Sequence, residues 1–252
     1  MKYLYLSKKR PISKLVLFLI IFLFCFCKKN PLTAESLIDK SIQAHGGLNL
    51  VKQFKSIQYN KSTKLYSKNG ELENHLIQKI NHQWDPFLTS IEWKNSEGYL
   101  NAKKKDGKVS LKLNNIFVKD SLKIIRAESN MDAAFYVFWQ PFQLLEPAAN
   151  KVLLGSQKIM DSIDVIEMQV SYSDEIGADQ WHYFFDPKNF KIRGVKVKHK
   201  GRISLIINEV YETKTGLSLN KSRKSYFLDS RGKVKYLKAA YEYEILSFNY
   251  KK

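Results

Sequence analysis

From Phe54 onward, apolar and polar side chains alternate with a period of two through a succession of short runs separated by turn dipeptides. No other feature of the sequence restricts the fold as tightly. Ile57, Tyr59, Thr63 and Leu65 share one face of a first run, and Asn69-Gly70, the strongest short hairpin signal, leads into a second run over 71–81. Runs over 87–93, 98–104 and 108–113 follow, with Asp85-Pro86 as a break and Asp106-Gly107 as a turn. Further on, Ile166, Met168, Val170 and Tyr172 alternate with Glu167, Gln169 and Ser171, and Val195, Val197 and His199 alternate with Lys196, Lys198 and Lys200. The last run sets Tyr241, Tyr243 and Ile245 against Glu242 and Glu244. Strands with one dry and one wet face belong to antiparallel sheets. The expected fold is therefore mainly β with few helices (α+β), a large antiparallel meander.

One stretch breaks the alternation, SNMDAAFYVFWQPFQLLEP at 129–147. Ser129 and Asp132 are spaced as a capping box, and Phe135, Phe138, Trp139 and Phe142 then fall at i, i+3, i+4 and i+7. Ala133, Ala134, Tyr136, Val137 and Leu144 occupy the other side, so the helix expected over 131–145 is apolar almost all round and has to be enclosed. Pro141 should end or kink it. A shorter helix is expected over 35–45, with Thr33 as cap, Leu37, Ile38 and Ile42 as an apolar stripe, His45 as a favourable cation in the last turn, and Gly46-Gly47 as the stop. The sheet needs a cover and the apolar helix needs shelter, so a curved half-barrel wrapped around that helix satisfies both. Without a Pro-, Gly- or Ser-rich linker, residues 28–252 read as one domain.

The N-terminus reads as a cleaved export signal. Leu15–Cys27 is apolar without interruption and follows Lys8, Lys9, Arg10 and Lys14. It is shorter than the roughly 20 residues that span a bilayer core. Residues 1–27 resemble a bacterial lipoprotein signal, with Cys27 as the acylated residue ahead of Lys28, Lys29 and Asn30, although Phe26 fills a position that is normally small. Ordinary cleavage near Leu32-Thr33-Ala34 and an uncleaved anchor are the alternatives. All three place the domain outside the cytoplasm, and no cysteine beyond Cys27 is present to staple it.

The formal net charge of +18 suits an anionic neighbour such as lipid head groups or acidic glycan. Export argues against nucleic acid, and the lysines are dispersed; Lys103-Lys104-Lys105 beside Asp106-Gly107 reads as a solvated hairpin tip. Catalytic constellations are not apparent. His45, His75, His82, His182 and His199 show no metal-ligand spacing, so neither a metal nor a cofactor is expected. His182 and Asp186, four apart on a strand, could share a face and support a hydrolase, but Asp186 precedes Pro187 and reads more simply as a turn former.

The N-terminal helix ending in AHGG (44–47), the curved antiparallel sheet, the mid-chain FYVFWQPFQL block (135–144) and the aromatic strand before Asp-Pro (181–187) resemble the lipoprotein-localisation superfamily of LolA-like and LolB-like proteins. More closely, the sequence resembles envelope lipoproteins of Bacteroidota that share this layout. The resemblance covers most of 34–248 and implies an apolar cavity for acyl chains, lined or plugged by Phe135, Phe138, Trp139 and Phe142. It implies a non-catalytic protein of the cell envelope whose partners are a lipid or acyl chain, a lipoprotein, and the membrane that holds its N-terminal lipid anchor. The expected location is the outer membrane, facing the periplasm. The alternative is a basic interaction module that binds acidic glycan or a protein while its interior is plain core.

Overall fold

In the computed structural model, residues 31–172, 179–199 and 201–251 are described. Chain contacts divide the molecule into two units, Met1–Thr33 and Ala34–Lys252. The second unit begins with α1 (Ala34–Ala44) and α2 (Leu48–Gln53), then runs through β1 (Phe54–Tyr66), β2 (Leu72–Trp84), β3 (Phe87–Asn95), β4 (Gly98–Lys105), β5 (Lys108–Leu113) and β6 (Ile116–Phe117). The long helix α3 (Ser121–Phe138) and a 3-10 turn (Phe142–Leu145) follow. The second run of strands comprises β7 (Asn150–Ile159), β8 (Ile163–Ser171), β9 (Gln180–Phe185), β10 (Ile192–His199), β11 (Arg202–Glu212), β12 (Leu219–Leu228) and β13 (Val234–Tyr250).

All thirteen strands form one antiparallel sheet in the order β6-β5-β4-β3-β2-β1-β13-β12-β11-β10-β9-β8-β7. The sheet curves and does not close. The first and last strands pair at its centre, from Phe54 opposite Tyr250 to Leu65 opposite Ala239. Register shifts in β1–β13, β11–β12, β12–β13 and β7–β8 mark bulges, which bend strands and increase twist. Asp106 and Gly107 both take positive φ, the conformation of a tight type I′ hairpin turn.

The expected helices are present with different limits. The mid-chain helix starts at Ser121, ten residues before the expected 131. Its N-cap is Asp120, whose carboxylate accepts from the backbone N–H groups of Leu122 at 2.9 Å and Lys123 at 3.1 Å. Ser129 and Asp132 are therefore interior, and Asp132 instead receives Lys104 Nζ at 2.9 Å, with Glu128 3.1 Å from the same ammonium. Of the lysine triplet, Lys103 and Lys105 are exposed, whereas Lys104 points to the helix. The helix stops at Phe138, before Pro141. Nor is it enclosed all round: Ala127, Met131 and Phe138 are buried, while Leu122 and Ile125 are open to solvent.

The core lies on the concave face. The C-terminal end of α3 plants Phe138 on Tyr59 of β1, ring on ring with centroids 3.9 Å apart, and Trp139 packs edge-on against Trp84 at 4.8 Å and Phe54 at 5.6 Å. Ile80, Ile91, Ala102, Leu111 and Met131 continue this core beneath the helix. A smaller cluster of Ile159, Val165, Phe184, Leu205 and Leu228 packs on the opposite face of the second half of the sheet.

AHGG proves to be a latch. His45 sits one residue past α1, buried, and its Nδ1 donates to Ser218 O at 2.7 Å while its Nε2 accepts from the Ile192 backbone N–H at 3.2 Å. One donor and one acceptor require the neutral ring, so His45 is not the helix-end cation expected from its position; burial pulls its pKa down to about 4. Gly46 has φ +111°, and a Cβ there would stand 2.8 Å from Gly216 O, so only glycine fits. His82, buried between Tyr59 and Thr89, is likewise pulled down by burial, to about 3.

Both histidines are neutral when folded and have a pKa near 6.5 when unfolded, so the unfolded chain binds more protons below that value. Their contribution is fully present above about pH 6.5 and fades as pH falls towards the folded values. Chemical denaturation at pH 7.5 and pH 5 should show roughly 2 kcal/mol lost per histidine. In His45→Gln the loss on acidification should be smaller; an unchanged pH slope would mean that the buried ring does not set it.

Candidate functional site

Between the sheet's concave face and the C-terminal half of α3 lies an open cavity of about 480 Å³. Its floor comes from the middle of the sheet: Lys61, Thr63 and Leu65 of β1; Leu76 of β2; Val195 and Val197 of β10; Ile206 of β11; Arg223 of β12; and Tyr241 and Tyr243 of β13. Where a strand is named with more than one residue, these are two apart on its inward face, as the pleat requires. The roof is the helix stripe Asn130, Ala133, Ala134 and Val137, at i, i+3, i+4 and i+7, continued by Gln140. Trp181 of β9 closes one side. The cavity exists because this stripe is made of small residues, which leave space where larger ones would reach the floor.

None of the four aromatics expected to line or plug the cavity is among the residues that line this space. Phe138 is 0%, Trp139 2% and Phe142 8% exposed, all within the packed core. Phe135 is partly buried and meets the His82 ring at 4.9 Å. Phe135, Phe138 and Trp139 lie at the C-terminal end of α3 on the side away from the cavity and fasten it to β1 and β2, whereas Phe142 belongs to the 3-10 turn beyond the helix. Cys27 lies outside the described residues.

The lining is mixed. Leu65, Leu76, Val137, Val195, Val197, Ile206 and Trp181 supply an apolar track, while Lys61, Thr63, Asn74, Gln78, Ser204 and Ser225 are polar. Lys61 Nζ stands 5.6 Å over the Tyr241 ring. At the Gln140 end, Gln140 Nε2 donates to Tyr183 Oη at 3.0 Å, Tyr183 meets Tyr136 at 2.6 Å, and Tyr136 also bonds Tyr172. Burial pushes all three phenols up, so they remain protonated donors. Arg223 is 4% exposed, its Nε has no hydrogen-bond partner, and it forms no ion pair among the described residues.

The suggested catalytic pair is not formed. His182 points to the opposite face of the sheet and bonds Glu167 through Nδ1 at 2.6 Å, with Lys196 Nζ 3.5 Å from the same carboxylate oxygen. Burial lowers the His182 pKa and Lys196 adds to it, against the pull of Glu167. Asp186 accepts instead from the backbone N–H groups of Lys188 at 2.8 Å and Asn189 at 3.1 Å, the work of a turn former. Among the described residues, no three His, Cys, Asp or Glu side chains are grouped as a metal site.

Sequence reasoning missed Lys61, Gln140 and Arg223. The signal for the first was present, because Lys61 interrupts the inward series Ile57, Tyr59, Thr63 and Leu65. Arg223 lies in NKSRKSY, where no alternation sets an inward position apart.

No family model matches the sequence, and no curated protein is found similar to it. Among solved structures, a LolA superfamily protein from Nitrosomonas europaea, NE2245, superposes with a TM-score of 0.54 at 11% identity, covering 85% of this chain and 92% of that one. The Mycobacterium tuberculosis lipoprotein LppX (TM-score 0.31, 13% identity, 85% and 96% covered) and MucB (0.28, 12%, 86% and 58%) align more loosely, too loosely to support an inference. An unclosed antiparallel sheet, a mid-chain helix across its concave face and the match to NE2245 together give this chain the LolA-like fold.

Proposed function

We propose that this chain is a non-catalytic cell-envelope protein that holds a lipid, or the acyl chain of a lipoprotein, in the cavity beneath α3. The observation that carries the reading is the track of Leu65, Leu76, Val137, Val195, Val197 and Ile206 along an open space of about 480 Å³. That volume falls in the ~300–1,000 Å³ range of small-molecule sites, and its mixture of apolar walls with a few polar groups matches their usual make-up. Apolar side chains on both the helix stripe and the middle strands suit a hydrocarbon chain. The LolA-like fold is consistent with this use, although fold alone does not assign it.

The N-terminal segment supports an exported protein tethered through acylated Cys27, on the apolar run from Leu15 and its basic flank. Outer-membrane placement, facing the periplasm, fits a tethered receiver of lipidated cargo. The ligand contacts assigned to Phe135, Phe138, Trp139 and Phe142 pass in this reading to the cavity face of the same helix.

Native mass spectrometry of the purified protein, with lipid extraction, should show a bound chain-bearing molecule. Val137→Trp fills the space and should cut occupancy at least tenfold while leaving the melting temperature within a few degrees. Phe138→Ala should instead cost about 3–5 kcal/mol of stability through the cavity it opens in the core. If Val137→Trp leaves occupancy unchanged, the cavity is not the site. Salt-sensitive binding of acidic glycan by that same variant would favour the basic interaction module. For the tether, metabolic labelling with radioactive palmitate should mark the wild type and not Cys27→Ser, which should also leave the membrane fraction.

A further inference from the structure

Arg223 is the one charged side chain of the cavity wall that is more than nine-tenths buried, and it is unpaired. It enters the cavity from β12. Its Nε is without a partner, and no carboxylate lies within ion-pair distance among the described residues. Its positive field reaches the hydroxyls of Tyr183, Tyr211 and Tyr241, which are neutral. Its cross-strand neighbours are Asn208 and Tyr241. Asn208 Oδ1 is itself buried without a partner and offers an acceptor but no charge. Gln140, roofing the same cavity, leaves its Oε1 unpartnered as well.

An arginine cannot relieve its burial by losing a proton. A guanidinium taken out of water with no counter-charge is among the least favourable things a fold can contain. Substituents that a chain keeps at a cost to stability concentrate at binding sites. The planar fork matches an oxyanion with two parallel hydrogen bonds. The apolar track adjoining it accommodates a hydrocarbon tail.

We infer that the cavity takes an anionic single-chain amphiphile, its oxyanion on the Arg223 guanidinium and its hydrocarbon chain along Leu65, Leu76, Val137, Val195, Val197 and Ile206. This rests on the chain-binding reading above and specifies the head group. A carboxylate and a phosphate monoester share the necessary chemistry. The cavity volume suits one chain, and Tyr241 and Lys61 stand on the same wall to complete a polar end.

The test is binding to the full-length protein in mild detergent, measured by displacement of a fluorescent fatty acid. Palmitate, hexadecyl phosphate, hexadecanol, acetate and inorganic phosphate are each titrated as competitors. The wild type should prefer palmitate and hexadecyl phosphate over hexadecanol by at least about tenfold, the size expected of charged hydrogen bonds in a sheltered site. Arg223→Gln should abolish the preference while retaining hexadecanol, and the exposed control Arg202→Gln should keep it. Arg223→Met, which removes an unpaired buried charge, should raise the melting temperature of the ligand-free protein; a structural arginine would give the reverse. Equal competition by palmitate and hexadecanol in the wild type would overturn the head-group assignment and leave chain binding standing. If none of the three long-chain compounds competes, the chain-binding reading itself falls and takes this inference with it. Acetate or inorganic phosphate competing as well as palmitate would reassign Arg223 to a free anion. The wild-type ligand series decides the head-group question even where a variant fails to fold.

Discussion

The connection between the two edge strands governs the architecture. Because β1 and β13 pair at the centre, the chain works outwards from β1 to β6, and then has to reach β7 at the far edge before it can work back in. A single antiparallel sheet leaves only one economical route for that passage, across a face. The passing segment therefore also serves as the cover of that face. α3 lies against β3, β4 and β5, and α1 meets β7 and the 3-10 turn, so the helical cover is concentrated over the two ends of the sheet. Away from the contacts of Phe138 and Trp139 with Tyr59 and Phe54, the middle strands, β1 and β10 to β13, turn inward side chains towards the small-residue side of α3, and the cavity opens there. Curvature deepens the trough, and the bulges in the central pairs supply curvature.

Two devices hold this arrangement against the cost of ordering so long a sheet. The first is the aromatic plug, where Phe138 and Trp139 at the end of α3 meet Tyr59, Phe54 and Trp84. It fixes the helix terminus over β1 and β2 and so sets the height of the roof. The second is His45, which joins the end of α1 to β10 and to the β11–β12 connection through backbone partners 147 and 173 residues away in sequence. Both are buried and long-range, and neither depends on an exposed ion pair. The exposed salt bridges, such as Lys123 with Glu97 and Lys158 with Asp164, sit in solvent and add little.

Local chemistry made much of the fold legible in advance. Gly70 and the Asp106-Gly107 pair take positive φ, and period-two alternation at 166–172 and 241–245 assigns faces without knowledge of neighbours. The start of α3 was hidden because Leu122 and Ile125 are exposed apolar residues that blur the amphipathic stripe, and the cap, Asp120, precedes them. His45 was misjudged for a different reason. Its position in sequence says helix end, while its protonation is set by Ser218 and Ile192, which only the folded chain brings near. At the candidate site, the bulky aromatics of α3 drew attention because large apolar side chains dominate any pattern. Size, however, is what fills a core. The residues that leave a space are small ones, and Ala133 and Ala134 carry no signal until the opposing wall is known.

That division of one helix into a bulky side and a small side is the main physical content of the site. The same two turns of α3 carry Phe135, Phe138 and Trp139 towards the core and Asn130, Ala133, Ala134 and Val137 towards the cavity. A helix apolar on both sides would normally have to be buried on both, and this one buries only the aromatic side. The small side needs no complete cover, because alanines lose little by meeting water and the wall opposite them is half polar. An empty trough lined in this way is tolerable to the folded protein, whereas a trough lined by exposed aromatics would invite collapse or aggregation. The mixed lining of Thr63, Ser204, Ser225 and Lys61 among Leu65, Val195 and Ile206 thus lets the space stay open in the folded protein. The side of the helix that faces the space is thus held in place by the side that fills the core.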